Sequence, residues 1–426
     1  MFRIVPISIA LALAGTTLVT GSASVSATAE AAAKAKPVRT AFALVASSYG
    51  TRVIGGPLPV NSSETGSISL SCTNKAPISK RNFVAEVDLP GLGTLTGVSS
   101  RVWTEKVGRT VSSYSSHDIA HIRLFNSDLG SLDINGLSSL ARAWHDSKGF
   151  HASIKSNIAS ITYTNKDGKQ TALEIPSIGK PITIPGLLRL SFGVGRKPVT
   201  STGAEAVTSA LDIRVFPGGE NEVKAIVGQT KAVIGGGIRS GLFSGDAVGA
   251  QAKVLGNLVS VGRTPLQFMP CPGTKGKPVF KEVAAVNIGG QLKISGLFAG
   301  VQGAQSRTKA TAMAAAHVAQ VDIGDGRLVI NGIRGVANAT RQDNKVSSNS
   351  DGTRILEVLA DGQPTQIPIE DLDIPGLVEL EENIVERTRN GIKVVALRIH
   401  LLDGSLAVID LGSARVGIKG VGRRRG

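Results

Sequence analysis

Residues 142–151 read RAWHDSKGFH, two histidines, an aspartate and a tryptophan in a chain with only six His and two Trp. Imidazoles and a carboxylate this close can bind a metal or pass a proton, provided their side chains share a face. Asp146 and Gly149 suit the first and fourth positions of a type I turn, so the stretch predicts a hairpin tip. A three-residue loop with Gly149 as a bulge sets His145 opposite His151, where the two could share a metal. A two- or four-residue loop pairs His145 with Phe150 and turns the imidazoles to opposite faces. The sequence leaves both registers open. His145 and His151 are the metal candidates, no cofactor is expected, and Trp144, His145, Phe150 and His151 form the first candidate binding surface.

Other catalytic sets are harder to assemble. His117-Asp118 and His145-Asp146 put a base beside an acid, but adjacent strand residues point to opposite faces, so neither is a ready-made dyad. No G-x-S-x-G elbow is present. Glu220, Glu222, Glu381, Glu382 and Glu386 lie in carboxylate-rich stretches, yet no tryptophan is near to line a sugar cleft, and a solvated face is expected. VIGGG (233–237) lacks the spacing of a phosphate-binding loop. The DGT, DGK and DGS words lack the ordered oxygen ligands of a calcium loop and read as turns.

The elements that must carry these residues are strands. VAEVDLPGLGTLTGV, IAHIRLFNSDLGSLDINGL, VAAVNIGGQLKISGL and VAQVDIGDGRLVINGI share one form. In each, an alternating strand enters a Gly turn and a second alternating strand ends in Gly plus Leu, Ile or Val, as in antiparallel hairpins. ATAMAAAHVA has helical propensity, but its alignment with the other half argues for a strand. The IPG and LPG words at 184–186, 374–376 and 89–91 read as turns or strand entries.

The chain is also written twice. Residues 71–98 align with 270–297 at an offset of 199, placing Cys72 on Cys271 and Gly97 on Gly296. The offset then falls through small deletions to 186. At the opening cluster the duplicate has Arg341 and Ser347 in place of His145 and His151, so the repeated fold does not need the histidines. The expectation is an all-β chain of antiparallel strands in two homologous halves, 30–250 and 251–422, each built of repeated hairpin or meander units. Residues 30–39 read as a flexible lead-in and 423–426 as a basic tail. Sandwich, barrel and solenoid remain open. Equivalent positions can meet on a pseudo-twofold axis, so a Cys72–Cys271 disulfide is expected, with two free thiols or intermolecular links as the alternative.

Residues 1–29 read as a signal peptide: a basic start, an apolar stretch, and small-residue cleavage sites after Ala27 or Ala29. The alternative is an N-terminal membrane anchor. No later run of 18 apolar residues predicts a transmembrane helix. The formal net charge of +15 favours anionic partners. Aromatics at 4% are too few to stack bases, so nucleic acid is not expected.

The export signal, AFALVASSYGTRVIGG, the paired SC and PCPGT segments, RAWHDSKGFHAS and VVALRIHLLDGSLAVIDLG together resemble the choice-of-anchor P family of exported proteins from Gram-positive, mainly actinomycete, bacteria. The resemblance covers almost the whole chain after the signal. It implies extracellular or surface placement, an architecture of repeated strands, and no established enzymatic activity. The chain ends VGIKGVGRRRG, in which no C-terminal sorting signal is recognised. The expected function is that of a secreted or cell-surface, non-enzymatic structural or adhesive envelope protein contacting anionic wall polymers or glycans. The alternative is an extracellular carbohydrate- or lipid-binding module with a cleft between the halves, lined by Trp103, Trp144, Tyr114 or Phe150. A hydrolase would require a buried His with a serine and a carboxylate in reach.

Overall fold

The computed structural model describes residues 36–55, 65–89, 93–127, 130–175, 177, 180–184, 188–215, 223–254, 260–288, 292–365, 373–374, 378–401 and 407–422. The expected signal peptide, the Pro-Gly pairs of the IPG and LPG words, Glu220, Glu222 and the basic tail lie outside these residues. The described chain is all-β, with 27 strands in four open antiparallel sheets.

Sheet 1 runs in the order Ile182–Ile184, Leu188–Arg196, Gly203–Val215, Val223–Gly235, Val38–Gly55, Ile68–Ala76, with Val199–Thr200 beside Gly203–Val215. Sheet 2 runs Ile78–Leu89, Gly93–Val107, Thr110–Ser127, Gly130–Asp146, Ser160–Thr164, Gln170–Leu173, with Gly149–Asn157 also on Gly130–Asp146. Sheet 3 runs Asp373–Ile374, Val378–Thr388, Gly391–Leu401, Ala407–Gly420, Gly241–Val254, Ser260–Phe268. Sheet 4 runs Val279–Ile288, Leu292–Gln305, Lys309–Ile323, Leu328–Gln342, Glu357–Ala360, Gln363–Pro364, with Lys345–Asn349 also on Leu328–Gln342. Sheets 2 and 4 therefore match strand for strand, as do sheets 1 and 3 except that Val199–Thr200 has no counterpart in sheet 3. ATAMAAAHVA lies in the strand Lys309–Ile323.

Sheet 1 faces sheet 2 and sheet 3 faces sheet 4, each pair enclosing its own core. Leu95, Ile122 and Ile134 meet Leu190, Ile213 and Val227 in the first. Ile294, Val321 and Ile330 meet Leu397, Ile399 and Ile409 in the second. Val38 and Arg39, in the expected lead-in, already belong to a strand. Gly241–Val254 belongs to sheet 3, so the division between the pairs falls before Gly241 and the boundary at 250/251 cuts that strand.

The Gly-plus-apolar words do not end strands, as period-two reading expects; the strands run through them. A line of small residues, Gly97, Ala120, Gly136 and Ala159, crosses sheet 2, and each long strand changes its inward phase there. Leu95 and Val98 are both buried, as are Ile119 and Ile122, and Ile134 and Leu137. Gly97 has φ +65°, and an added Cβ would stand 2.7 Å from that of Ala120. Its counterpart Gly296 has φ +60° and faces Ala319 in the same way. Glycine supplies the left-handed backbone that lets the strand keep its apolar residues inward.

The two pairs join at the Cys72–Cys271 disulfide. Around it pack Ala43, Leu242, Ile238 and Val421, and the Asn74 amide donates to the Val421 carbonyl at 3.2 Å. The place where the halves meet is therefore apolar and cross-linked.

Candidate functional site

The hairpin at 142–151 takes the two-residue register. His145 pairs with Phe150, Trp144 with His151 and Asp146 with Gly149, leaving Ser147 and Lys148 as the turn. Side chains alternate across a sheet, so His145 and His151 point to opposite faces and share no metal. The Gly149-bulge register is overturned. Among the described residues, no group of three or more His, Cys, Asp and Glu is placed to hold a metal ion.

The four residues expected to form one binding surface are also divided. His145 and Phe150 face inward, with His145 between Phe42 at 4.5 Å and Phe150 at 4.6 Å, centroid to centroid. Trp144 and His151 face outward and share Asp146. Its carboxylate accepts from the Lys148 amide at 2.8 Å, from His151 Nε2 at 3.0 Å and from the Trp144 indole N–H at 3.2 Å. The Lys148 amide, followed by His151 and Trp144, holds Asp146 below the usual carboxylate range.

Outward residues of four adjacent strands continue from here into one stack. Trp144 lies against His151 at 5.0 Å, and the Arg142 guanidinium sits 4.5 Å from Trp144 and 5.1 Å from Tyr114. Tyr114 stacks on Trp103 at 4.6 Å with an interplanar angle of 3°, and Arg101 covers Trp103 at 4.8 Å. These spacings match the distance between neighbouring strands. Parallel rings on directly paired strands at this spacing stand on edge, so their faces meet each other and the guanidiniums rather than solvent. A sugar needs an open ring face. The stack is thus a cation–π ladder across the sheet.

On the inner side, His117 is buried between sheets 1 and 2. Its Nδ1 lies 2.8 Å from Ser100 Oγ and 3.4 Å from Ser48 Oγ. Ser100 donates to the Gly66 carbonyl at 2.7 Å and Ser48 to the Ser116 carbonyl at 3.1 Å. With both hydroxyl hydrogens so used, Nδ1 is assigned as the protonated nitrogen. Nε2 is then a bare acceptor, and it has no hydrogen-bond partner. Burial lowers the imidazole to about 4, so it is neutral at pH 7. Asp118 points to the other face and is exposed there. The serine and histidine of a hydrolase are in contact, but among the described residues no carboxylate orients the histidine.

This polar seam belongs to one half. Ser100, Ser113, Ser115 and His117 correspond to Ala299, Ala312, Ala314 and Ala316, all buried in the second half. The serines bond the facing sheet directly: Ser113 donates to the Val45 carbonyl at 2.6 Å and Ser115 to that of Ser47 at 2.7 Å.

Of the remaining glutamates, Glu381 and Glu386 make cross-strand polar contacts, while Glu382 stands opposite Leu397 in the ladder. Glu381 accepts from His400 at 2.8 Å, and Glu386 accepts from Lys393 at 2.7 Å. On the outer face of sheet 4, Glu282, Phe298, His317, Arg334 and Arg354 line an open groove of about 690 Å³ that the sequence reading did not anticipate. Glu282, Phe298, His317 and Arg334 come from four strands and Arg354 from an isolated bridge beside Arg334, and only the register brings them together.

Fold and surface together define a duplicated pair of two-sheet β-sandwiches with cationic and aromatic side chains on open faces. No protein-family model matches the chain, and neither curated proteins nor solved structures give a match.

Proposed function

We propose that the protein is an exported, non-enzymatic structural or adhesive component of the bacterial envelope that contacts anionic wall polymers, built by internal duplication of a two-sheet unit. The observation that carries this reading is the fixing of guanidinium groups on the outer face of a sheet. Arg101 and Arg142 are locked into an aromatic ladder, which lowers the entropy they would lose on meeting an anionic surface. The chain's net charge of +15 supplies the long-range attraction. Export and envelope placement are inferred from the N-terminal pattern and the family resemblance. The carbohydrate- or lipid-binding alternative is less well supported, because the ladder hides its ring faces and apolar side chains pack where the halves meet. Cell fractionation with a salt wash tests the reading. Release from the envelope by high salt is expected, whereas recovery from the medium alone would overturn it.

A further inference from the structure

The cavity on sheet 4 is organised as one cross-strand row. Glu282 pairs with Phe298, Phe298 with His317, and His317 with Arg334. Arg334 in turn exchanges two backbone hydrogen bonds with Arg354, each 2.8 Å. Residues directly opposite on paired strands project from the same face, so the two guanidiniums are neighbours. Like charges so placed repel, and among the described residues neither guanidinium has a carboxylate partner. Glu282 is three strand spacings from Arg334, about 14 Å, too far to neutralise it.

The other components extend the site in a definite direction. His317 is held below the ordinary imidazole range by burial, then by Arg334 and Arg354, so at neutral pH it can hydrogen-bond without adding charge. Phe298, packed 5.4 Å from the half-exposed Phe280, forms an apolar wall beside it. Glu282 ends the row with an exposed acceptor. The equivalent row of sheet 2 reads Phe83, Ser99, Asp118, Ser138 and Asn157, with no cation. The cationic pair is therefore not a requirement of the repeated fold.

We propose that this cavity binds a short sugar or polyol oligomer carrying oxyanions, with the phosphate or carboxylate of one unit on Arg334 and Arg354, the carbon skeleton along Phe298, and a hydroxyl of a following unit donating to Glu282. Paired guanidiniums suit a planar or tetrahedral oxyanion by forked hydrogen bonding. The inference deepens the envelope reading by naming a ligand class, and rests on it only for the source of that ligand.

The test is calorimetric titration of the purified chain, at fixed salt, with a glycerol-phosphate oligomer, a uronic-acid oligosaccharide and inorganic phosphate. The oligomer that binds better identifies the source. Arg334→Gln with Arg354→Gln weakens that binding at least about tenfold, as expected for losing charge-assisted hydrogen bonds. Phe298→Ala weakens oligomer binding and leaves inorganic phosphate unchanged. Arg81→Gln with Lys155→Gln removes two charges from sheet 2 and has a smaller effect. Equal losses from the two double variants, or no oligomer binding by the native chain, would overturn the proposal. Site binding by a protein recovered only from medium would overturn the envelope reading alone. Salt-releasable envelope association with titrations unaffected at Arg334 and Arg354 would overturn the site alone.

Discussion

Acidification should selectively weaken the first pair of sheets, because His117 must take up a proton when it unfolds. The imidazole titrates near 6.5 when solvated and is lowered by burial to about 4 in the fold. Between those values the unfolded chain binds the proton and the folded chain does not. The stability that His117 contributes is full above pH 6.5, falls as pH drops through this window, and levels off below about 4. At about 1.4 kcal/mol per pH unit, the gap amounts to on the order of 3 kcal/mol. Its hydrogen-bonding neighbours, Ser48 and Ser100, offer no charge to soften the effect. The assay is urea unfolding between pH 4 and 7.5, followed by tryptophan fluorescence, since Trp103 and Trp144 both lie on sheet 2. The comparison is His117→Ala, which installs the residue that the second half carries as Ala316. The variant loses about 1–3 kcal/mol at neutral pH from packing, yet its stability falls less between pH 6.5 and 4. His317 is also lowered, but it is present in both proteins and cancels. Parallel stability curves for native chain and variant would refute the assignment of a buried neutral imidazole.

Three further outcomes follow from the packing. Replacing Cys72 and Cys271 by serine opens a crosslink spanning 199 residues, and the chain-entropy estimate is a loss of about 5 kcal/mol, read from the denaturation midpoint; the native chain should show no free thiol when denatured without reductant. Arg142→Ala removes the cation between Tyr114 and Trp144, costing about 1–2 kcal/mol and changing Trp144 fluorescence, while Arg142→Lys restores charge without the planar stack and recovers only part of the loss. Gly97→Ala meets both a left-handed backbone and the Ala120 methyl and costs about 2 kcal/mol or more by thermal melting, whereas Gly108→Ala, also at positive φ but in open space, costs less.

Much of the architecture is legible in the sequence because repetition and alternation are local signals. The offset of 199 that lays Cys72 on Cys271 also lays Gly97 on Gly296, and both correspondences survive into the fold. The strand at Lys309–Ile323 shows why the comparison of halves outweighs propensity. Its alanines line a narrow space between sheets, where burial decides the conformation that helix propensity alone would misassign. The glycine words misled for a related reason. A period-two reading treats a break in alternation as the end of a strand, while a left-handed glycine lets the strand shift phase and continue.

The candidate sites were less legible, since they depend on register. One residue of loop length decides whether His145 faces His151, and RAWHDSKGFH accommodates either choice. The sequence by itself determined that the chain is β-rich and duplicated, with paired cysteines and a strong positive charge. Those properties follow from composition and periodicity, which are read along the chain. Only the tertiary structure decided that Trp103, Tyr114, Arg142 and Trp144 close into one ladder, that His117 is sealed against serines, and that Arg334 stands beside Arg354. Each of these contacts joins strands or sheets, and its geometry is set by how the strands pair and the sheets face, information that no single stretch of sequence carries.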